Sequence, residues 1–121
     1  MDAQNYGEGP KRGTTSIAPG VLVTIARLTA LSVPGVTGLA RVPGGVNRLF
    51  RRGTSEGVQI EVQDDHVEAD LYLILAADVN VREVSRNVQA EVASAIEHMV
   101  GMQVGRIDIH IEDIDFSQTG G

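Results

Sequence analysis

The chain has 121 residues, enough for one domain with a substantial core, and its 42% hydrophobic content is that of a globular protein. Its 16 Asp and Glu against 10 Lys and Arg give a net charge of −6, which disfavours non-specific binding to nucleic acid. Cys is absent, which excludes disulfides and thiolate metal sites, and no apolar run approaches the ~20 residues that span a bilayer.

The first third of the chain predicts a tail, a short strand and a helix. Residues 1–13 have neither periodicity nor an apolar run, so we expect a flexible tail and no secretory signal there. Thr14–Ile17 could form a short first strand. Apolar residues then recur at helical spacing and predict a helix over Pro19–Ser32, with Val21, Ile25, Leu28 and Ser32 on one face and Leu22 and Thr29 beside them. Pro suits the first turn of that helix, and Pro34-Gly35 ends it.

Residues 34–57 are rich in Gly and predict a long loop, which in a compact domain is often functional. A basic cluster lies within it, and its candidate partner-binding residues are Arg41, Arg48, Phe50, Arg51 and Arg52. The acidic balance of the chain disfavours nucleic acid as the partner, and three or four Arg residues alone bind a lipid surface only weakly. Two interpretations remain: docking to an acidic protein surface, or a solvated linker.

The second half predicts a hairpin, a helix and a final strand. Val58, Ile60 and Val62 alternate with polar residues, Asp64-Asp65 supplies a turn, and a second alternating run follows over residues 67–75. Asn80 can cap a helix with an apolar Val stripe, and Gly101 is placed to end it. An Ile-rich strand closes the domain.

These elements define an α+β fold class, a βαββαβ-like arrangement with a three- to four-stranded, mainly antiparallel sheet and two helices on one face. We expect a single domain over residues 14–116 and a flexible tail over 117–121. The uncovered sheet face then shows Gln59, Glu61, Gln63, Glu68, Asp70, Tyr72, Asp108, His110 and Glu112.

That polar face offers two candidate chemistries. Asp108, His110 and Glu112 project from one side of one strand and could converge on a divalent cation, although any polar strand face has the same spacing. RNA binding through the face needs several aromatics and positive charge, whereas the face has Tyr72 alone and many acids. No nucleophile elbow, P-loop or zincin motif occurs, so we expect no catalytic and no cofactor-binding residues.

The run VEADLYLILAADVNVREVSRNVQAEVASAIEHMVGMQVGRIDIHIEDI resembles the alkaline shock protein family of bacterial envelope-stress-response proteins. The features that carry the resemblance are an alternating strand that ends near Leu75, the steps Val79-Asn80-Val81, Val84 and Asn87-Val88-Gln89, the helix exit Met99-Val100-Gly101-Met102, and the closing Ile-rich strand. Upstream agreement comes from Ile17, Ile25-Ala26, Pro34-Gly35-Val36 and Gly38-Leu39. Together these features cover about residues 14–115.

The resemblance implies a small cytoplasmic protein without enzymatic activity, peripheral at the inner membrane face through a membrane-anchored partner protein, or self-associating into homo-oligomers. It carries over no catalytic residue, cofactor or nucleic-acid partner. Ala77-Asp78 departs from the Tyr-Gly that relatives often have there, which suggests a different turn. The leading hypothesis is an envelope-stress scaffold or interaction module. The alternative is an accessory or regulatory subunit of an enzyme that handles lipid precursors, and a metal-dependent enzyme is the least favoured.

Overall fold

The computed structural model describes residues 15–42, 53–55 and 57–118. Its elements in chain order are α1 (Pro19–Ser32), β1 (Val36–Leu39), β2 (Gly53–Ser55), β3 (Val58–Gln63), β4 (His66–Ala76), α2 (Val81–Val100), β5 (Gln103–Asp115) and a short 3-10 turn (Phe116–Gln118). The predicted α+β fold class is confirmed: both helices pack on one face of a mainly antiparallel sheet. The described strands number five rather than three or four.

β4 is the central strand of the sheet. β5 runs parallel to it along its whole length, from His66↔Gln103 to Ala76↔Asp115. The other edge of β4 is shared by two antiparallel strands, because β3 pairs with residues 66–71 and β1 pairs with residues 73–75. β2 extends the sheet beyond β3. The predicted hairpin is therefore confirmed, and its turn contains Asp64 with a φ of 50°, a left-handed conformation that Asp tolerates.

The beginning of the chain departs from the prediction. Residues 15–18 form no strand, and residue 14 lies outside the described part of the chain. The additional strands occur instead as β1 and β2, inside the segment predicted as a loop. The reason is that β3 is too short to satisfy the backbone groups in the second half of β4, and buried backbone groups need partners. β1 provides them, which no pattern in its own sequence indicates.

Gly57 lies on that edge of β4, between the end of β1 and the start of β3. It has a φ of 74°, and its carbonyl accepts a hydrogen bond of 2.8 Å from the Tyr72 amide. A Cβ at this position would lie 2.5 Å from the Cβ of Leu39 and 2.9 Å from two carbonyl oxygens. Glycine is therefore required here both by conformation and by the close approach of β1.

The core lies between the helices and the inner face of the sheet, and in the described residues it contains no buried polar or charged side chain. α2 contributes Val84, Val88, Val92 and Ile96, which confirms the predicted Val stripe. The predicted cap is confirmed as well, since Asn80 Oδ1 accepts a 2.9 Å hydrogen bond from the Glu83 amide, and Gly101 is left-handed at the other end.

The predicted bounds of α1 are confirmed, and the face that it buries is rotated from the predicted one towards Leu22. The helix buries Leu22, Val23, Ala26 and Ala30. Val21 and Leu28 point outward, with 48% and 55% of their surface exposed. A second apolar stripe at positions 22, 26 and 30 competes with the stripe that includes residues 21 and 28, and it is the one that is buried.

Candidate functional site

The outer face of the sheet carries the polar side chains that alternation predicts. On β4, the inward residues from Val67 to Leu75 are buried and the residues between them are half-buried on the other face. β5 continues this face, because Asp70 lies opposite Asp108 and Tyr72 lies opposite His110 in the register of the two strands. We call this surface, formed by the outward residues of β3, β4 and β5, the polar face.

Arg106 organises the middle of the polar face. Its guanidinium donates a 3.1 Å hydrogen bond to Glu68 Oε1, pairs with the Asp108 carboxylate, and lies 3.6 Å from Asp70 Oδ1. The hydrogen bond to Asp108 raises the pKa of Arg106 above its usual range, and the bond to Glu68 adds to this, while partial burial opposes it. The cation is therefore fixed among three carboxylates.

Arg106 is the site residue that the sequence reasoning missed. It stands two positions before Asp108, so the same period of two that placed Asp108, His110 and Glu112 on the polar face would have placed it there too. A strand irregularity between Val104 and Ile107 precedes the regular stretch, and it contains Gly105 and Arg106. The Arg106 side chain nevertheless lies on the polar face, where it contacts Glu68 and Asp108.

Two histidines extend the network. His110 Nε2 lies 2.9 Å from Asp70 Oδ1, and His66 Nε2 lies 3.5 Å from Glu68 Oε2. The His110 ring also stacks on Tyr72, with centroids 4.4 Å apart and planes 11° from parallel. One face of Tyr72 is thus covered by a neighbouring ring, which reduces its availability for stacking on a nucleic-acid base.

Tyr72 lies among carboxylates. Burial raises the pKa of its hydroxyl above the usual range, and the charges of Asp70, Glu112 and Asp108 raise it further. The hydroxyl therefore stays neutral at physiological pH. The polar face as a whole has more carboxylates than cations, which repels phosphate.

The predicted metal-ligand set does not form a common site. Asp108 is engaged by Arg106, and His110 is engaged by Asp70, which was not in the predicted set. Within residues 15–42, 53–55 and 57–118, no group of three or more His, Asp or Glu side chains is arranged to hold a metal ion. The spacing along β5 is therefore that of a polar strand face, in which Asp108 and His110 are bonded to neighbouring side chains.

Among the residues that the structure describes, the groove between α2 and β5 carries no acid–base pair. Its described lining is Arg86, Asn87, Gln89, Ala90, Ala93, Gly105 and Ile107. These side chains include no carboxylate, imidazole or hydroxyl, the groups that acid–base and nucleophilic catalysis use most often.

The basic cluster lies largely outside the described part of the chain. Arg41 is described and exposed, two residues after β1 ends. Arg48, Phe50, Arg51 and Arg52 lie outside the described residues, so their predicted role stays a prediction. Neither Ala77 nor Asp78, the departure from the family pattern, has a positive φ.

The fold and this surface define an open-faced α+β domain whose exposed sheet carries an acidic, internally bonded network. The model of the alkaline shock protein family, which is described as having a "cell envelope-related function", matches residues 8–116. The chain belongs to that family, which confirms the resemblance seen in the sequence. No helix in the described part of the chain is long and apolar enough to cross a membrane.

Two relatives are similar to this chain over most of its length. The chain is 29% identical over 106 residues to "Uncharacterized protein YqhY" of Bacillus subtilis, covering 86% of this chain and 78% of that protein. It is 31% identical over 110 residues to "Uncharacterized protein Spy1535" of Streptococcus pyogenes, covering 88% and 83%.

Solved structures with a similar fold are forms of the MamM CTD. The copper form has a TM-score of 0.57 at 16% identity, covering 82% of this chain and 89% of that one. A zinc form has a TM-score of 0.56 at 16% identity, covering 83% and 90%. At this identity the likeness shows the fold alone.

Proposed function

We propose that the protein is a non-enzymatic scaffold or interaction module of the bacterial envelope stress response, acting in the cytoplasm next to the membrane through protein contacts. Membership of a family with a cell envelope-related function is the observation that carries this proposal. The surface agrees with it, since the polar face has its charged groups bonded to one another rather than converging on a cavity where a small substrate could react.

Apolar surface on α1 supports a role in protein contacts. Val21, Leu28 and Leu31 are 48%, 55% and 40% exposed, and Arg27 is the one charged residue of this 14-residue helix. Most surface helices present charged residues to water on their outer side. Grouped apolar side chains at the surface are typical of sites that contact other proteins.

Membrane fractionation tests this proposal. Because we propose anchoring through a partner, the tagged full chain should sediment with membranes in its native host and move to the soluble fraction when the neighbouring membrane-protein genes are deleted. Return of those genes should restore the membrane pool. Recovery in the soluble fraction in both strains would count against a membrane-proximal role.

A vesicle-binding assay distinguishes protein contact from lipid contact. Replacing Arg41 with Ser removes an exposed cation that is described in the structure, and purified protein can then be mixed with vesicles of anionic lipid. We expect neither wild type nor Arg41→Ser to bind the vesicles, since so few basic residues contribute roughly 1 kcal/mol each. Strong binding to vesicles alone would contradict anchoring through a protein.

A further inference from the structure

β5 has a long edge without a strand partner in the described part of the chain. It spans 13 residues and pairs with β4 along one edge, whereas β1, β3 and β2 all lie on the far side of β4. An edge of this kind presents a row of backbone N–H and C=O groups that can bond to another strand.

The middle of β5 is a regular stretch between two irregularities. The register with β4 shifts between Val104 and Ile107, is regular from Ile107 to Ile111, and shifts again before Asp113. Ile107 is buried on the helix side, and Ile109 and Ile111 on that side are half-buried. A strand added at this edge would cover the exposed parts of these isoleucines.

The regular stretch together with one residue on each side, Arg106-Ile107-Asp108-Ile109-His110-Ile111-Glu112, is chemically complementary to itself in the antiparallel direction. In a pairing centred on Ile109, Arg106 faces Glu112 of the second copy and Asp108 faces His110. Ile107 faces Ile111, and Ile109 faces itself. Polar residues then meet on the polar face and isoleucines meet on the helix face.

Antiparallel pairings centred one residue earlier or later than Ile109 lose this charge complementarity. A centre one residue earlier places Asp108 opposite its own copy and Arg106 opposite His110. A centre one residue later places Asp108 opposite Glu112. Like charges directly opposite each other destabilise a strand pair, so the chemistry selects the register centred on Ile109.

We propose that β5 pairs antiparallel with β5 of a second copy of this chain, with Ile109 on the twofold axis, joining the two sheets into one. This inference rests on the proposed function, because it names a surface through which the scaffold makes contacts. Gln89 donates a 2.9 Å hydrogen bond to the Ile107 carbonyl at this strand. A carbonyl oxygen has two lone pairs, so this bond does not exclude the pairing.

Cysteine cross-linking tests the register, because the chain has no Cys of its own. Ile109→Cys places two thiols opposite each other at a Cα separation of about 4.5–5.5 Å, within the range of a disulfide. Glu112→Cys, the matched control in the same strand, places its two thiols about 20 Å apart. Under mild oxidation the Ile109→Cys dimer should form at least about tenfold faster. Equal rates would overturn the register.

Sedimentation equilibrium of the full chain tests the dimer itself. Glu112→Arg places Arg opposite Arg106 of the second copy and should weaken the dimer roughly five- to tenfold in Kd. The control Glu97→Arg makes the same charge change at an exposed position on α2 and should leave Kd unchanged. Equal effects of the two variants would overturn the pairing, and so would a wild type that stays monomeric at every concentration.

The experiments distinguish failure of the β5 pairing from failure of the membrane-proximal scaffold role. A monomeric wild type that still sediments with membranes refutes the β5 pairing and leaves the scaffold proposal intact. A dimer that shows the expected cross-link but stays in the soluble fraction in both strains supports the pairing and refutes the membrane-proximal role.

Discussion

The two helices pack on the same sheet but divide their apolar residues differently. α2 buries one stripe, with Val88, Val92 and Ile96 fully covered, and presents charged residues such as Arg82 and Glu91 on its other side. α1 buries Leu22, Ala26 and Ala30 completely, yet its outward side is also apolar. α2 therefore has one face that can enter the core, whereas α1 has two.

This difference shows when hydrophobic periodicity can orient a helix. With one apolar stripe, burying any other face would expose the stripe and bury charge, which costs several kcal/mol. With two stripes, both orientations bury apolar surface and the shape of the contact decides. In α1 the stripe that enters the core includes Ala26 and Ala30, both fully buried.

The largest expected effect separates the two sides of α1. Leu22→Ala removes a fully buried side chain and should lower the free energy of unfolding by about 2–5 kcal/mol. Leu28→Ala makes the same change on the outward side, where the expected loss is within about 0.5 kcal/mol. Urea unfolding followed by circular dichroism measures both. Similar losses for the two variants would mean that α1 packs by its other face.

Helix capping gives a second, smaller contrast. α2 begins at Asn80, whose side chain caps the helix, so Asn80→Ala should cost about 1 kcal/mol. α1 begins at Ala18, which is extended and makes no side-chain cap, so Ala18→Ser should stabilise the protein by about 0.5 kcal/mol. Thermal unfolding at fixed pH measures both changes. A destabilising Ala18→Ser would show that the start of α1 cannot accept a cap.

The smallest effect concerns charge at the ends of α2. Glu83 lies in the first turn of α2, where its negative charge interacts favourably with the helix dipole. Glu83→Gln should therefore lower the free energy of unfolding by about 0.3–1 kcal/mol at low salt and by less at high salt. Glu97→Gln, near the other end, is the matched control and should be neutral or slightly stabilising. A loss at Glu83 that does not change with salt would point to hydrogen bonding rather than charge.

The polar face shows how far alternation alone predicts a site. Because successive side chains in a strand point to opposite faces, period two along β4 and β5 identified the residues of this face apart from Arg106. It did not identify their bonds. Arg106 contacts Glu68, which is 38 positions away in the sequence, and His110 contacts Asp70, which is 40 positions away. Those pairs depend on the parallel register of β4 and β5.

The sequence by itself determined the bounds of both helices, the hairpin, the caps of α2 and the polar character of the outer sheet face, since each depends on neighbours within a few residues. Only the tertiary structure decided which face of α1 is buried, that β1 completes the edge of β4, and that Asp108 and His110 bond to different partners. These outcomes depend on which distant segments compete for the same space and the same hydrogen bonds, and local patterns do not encode that competition.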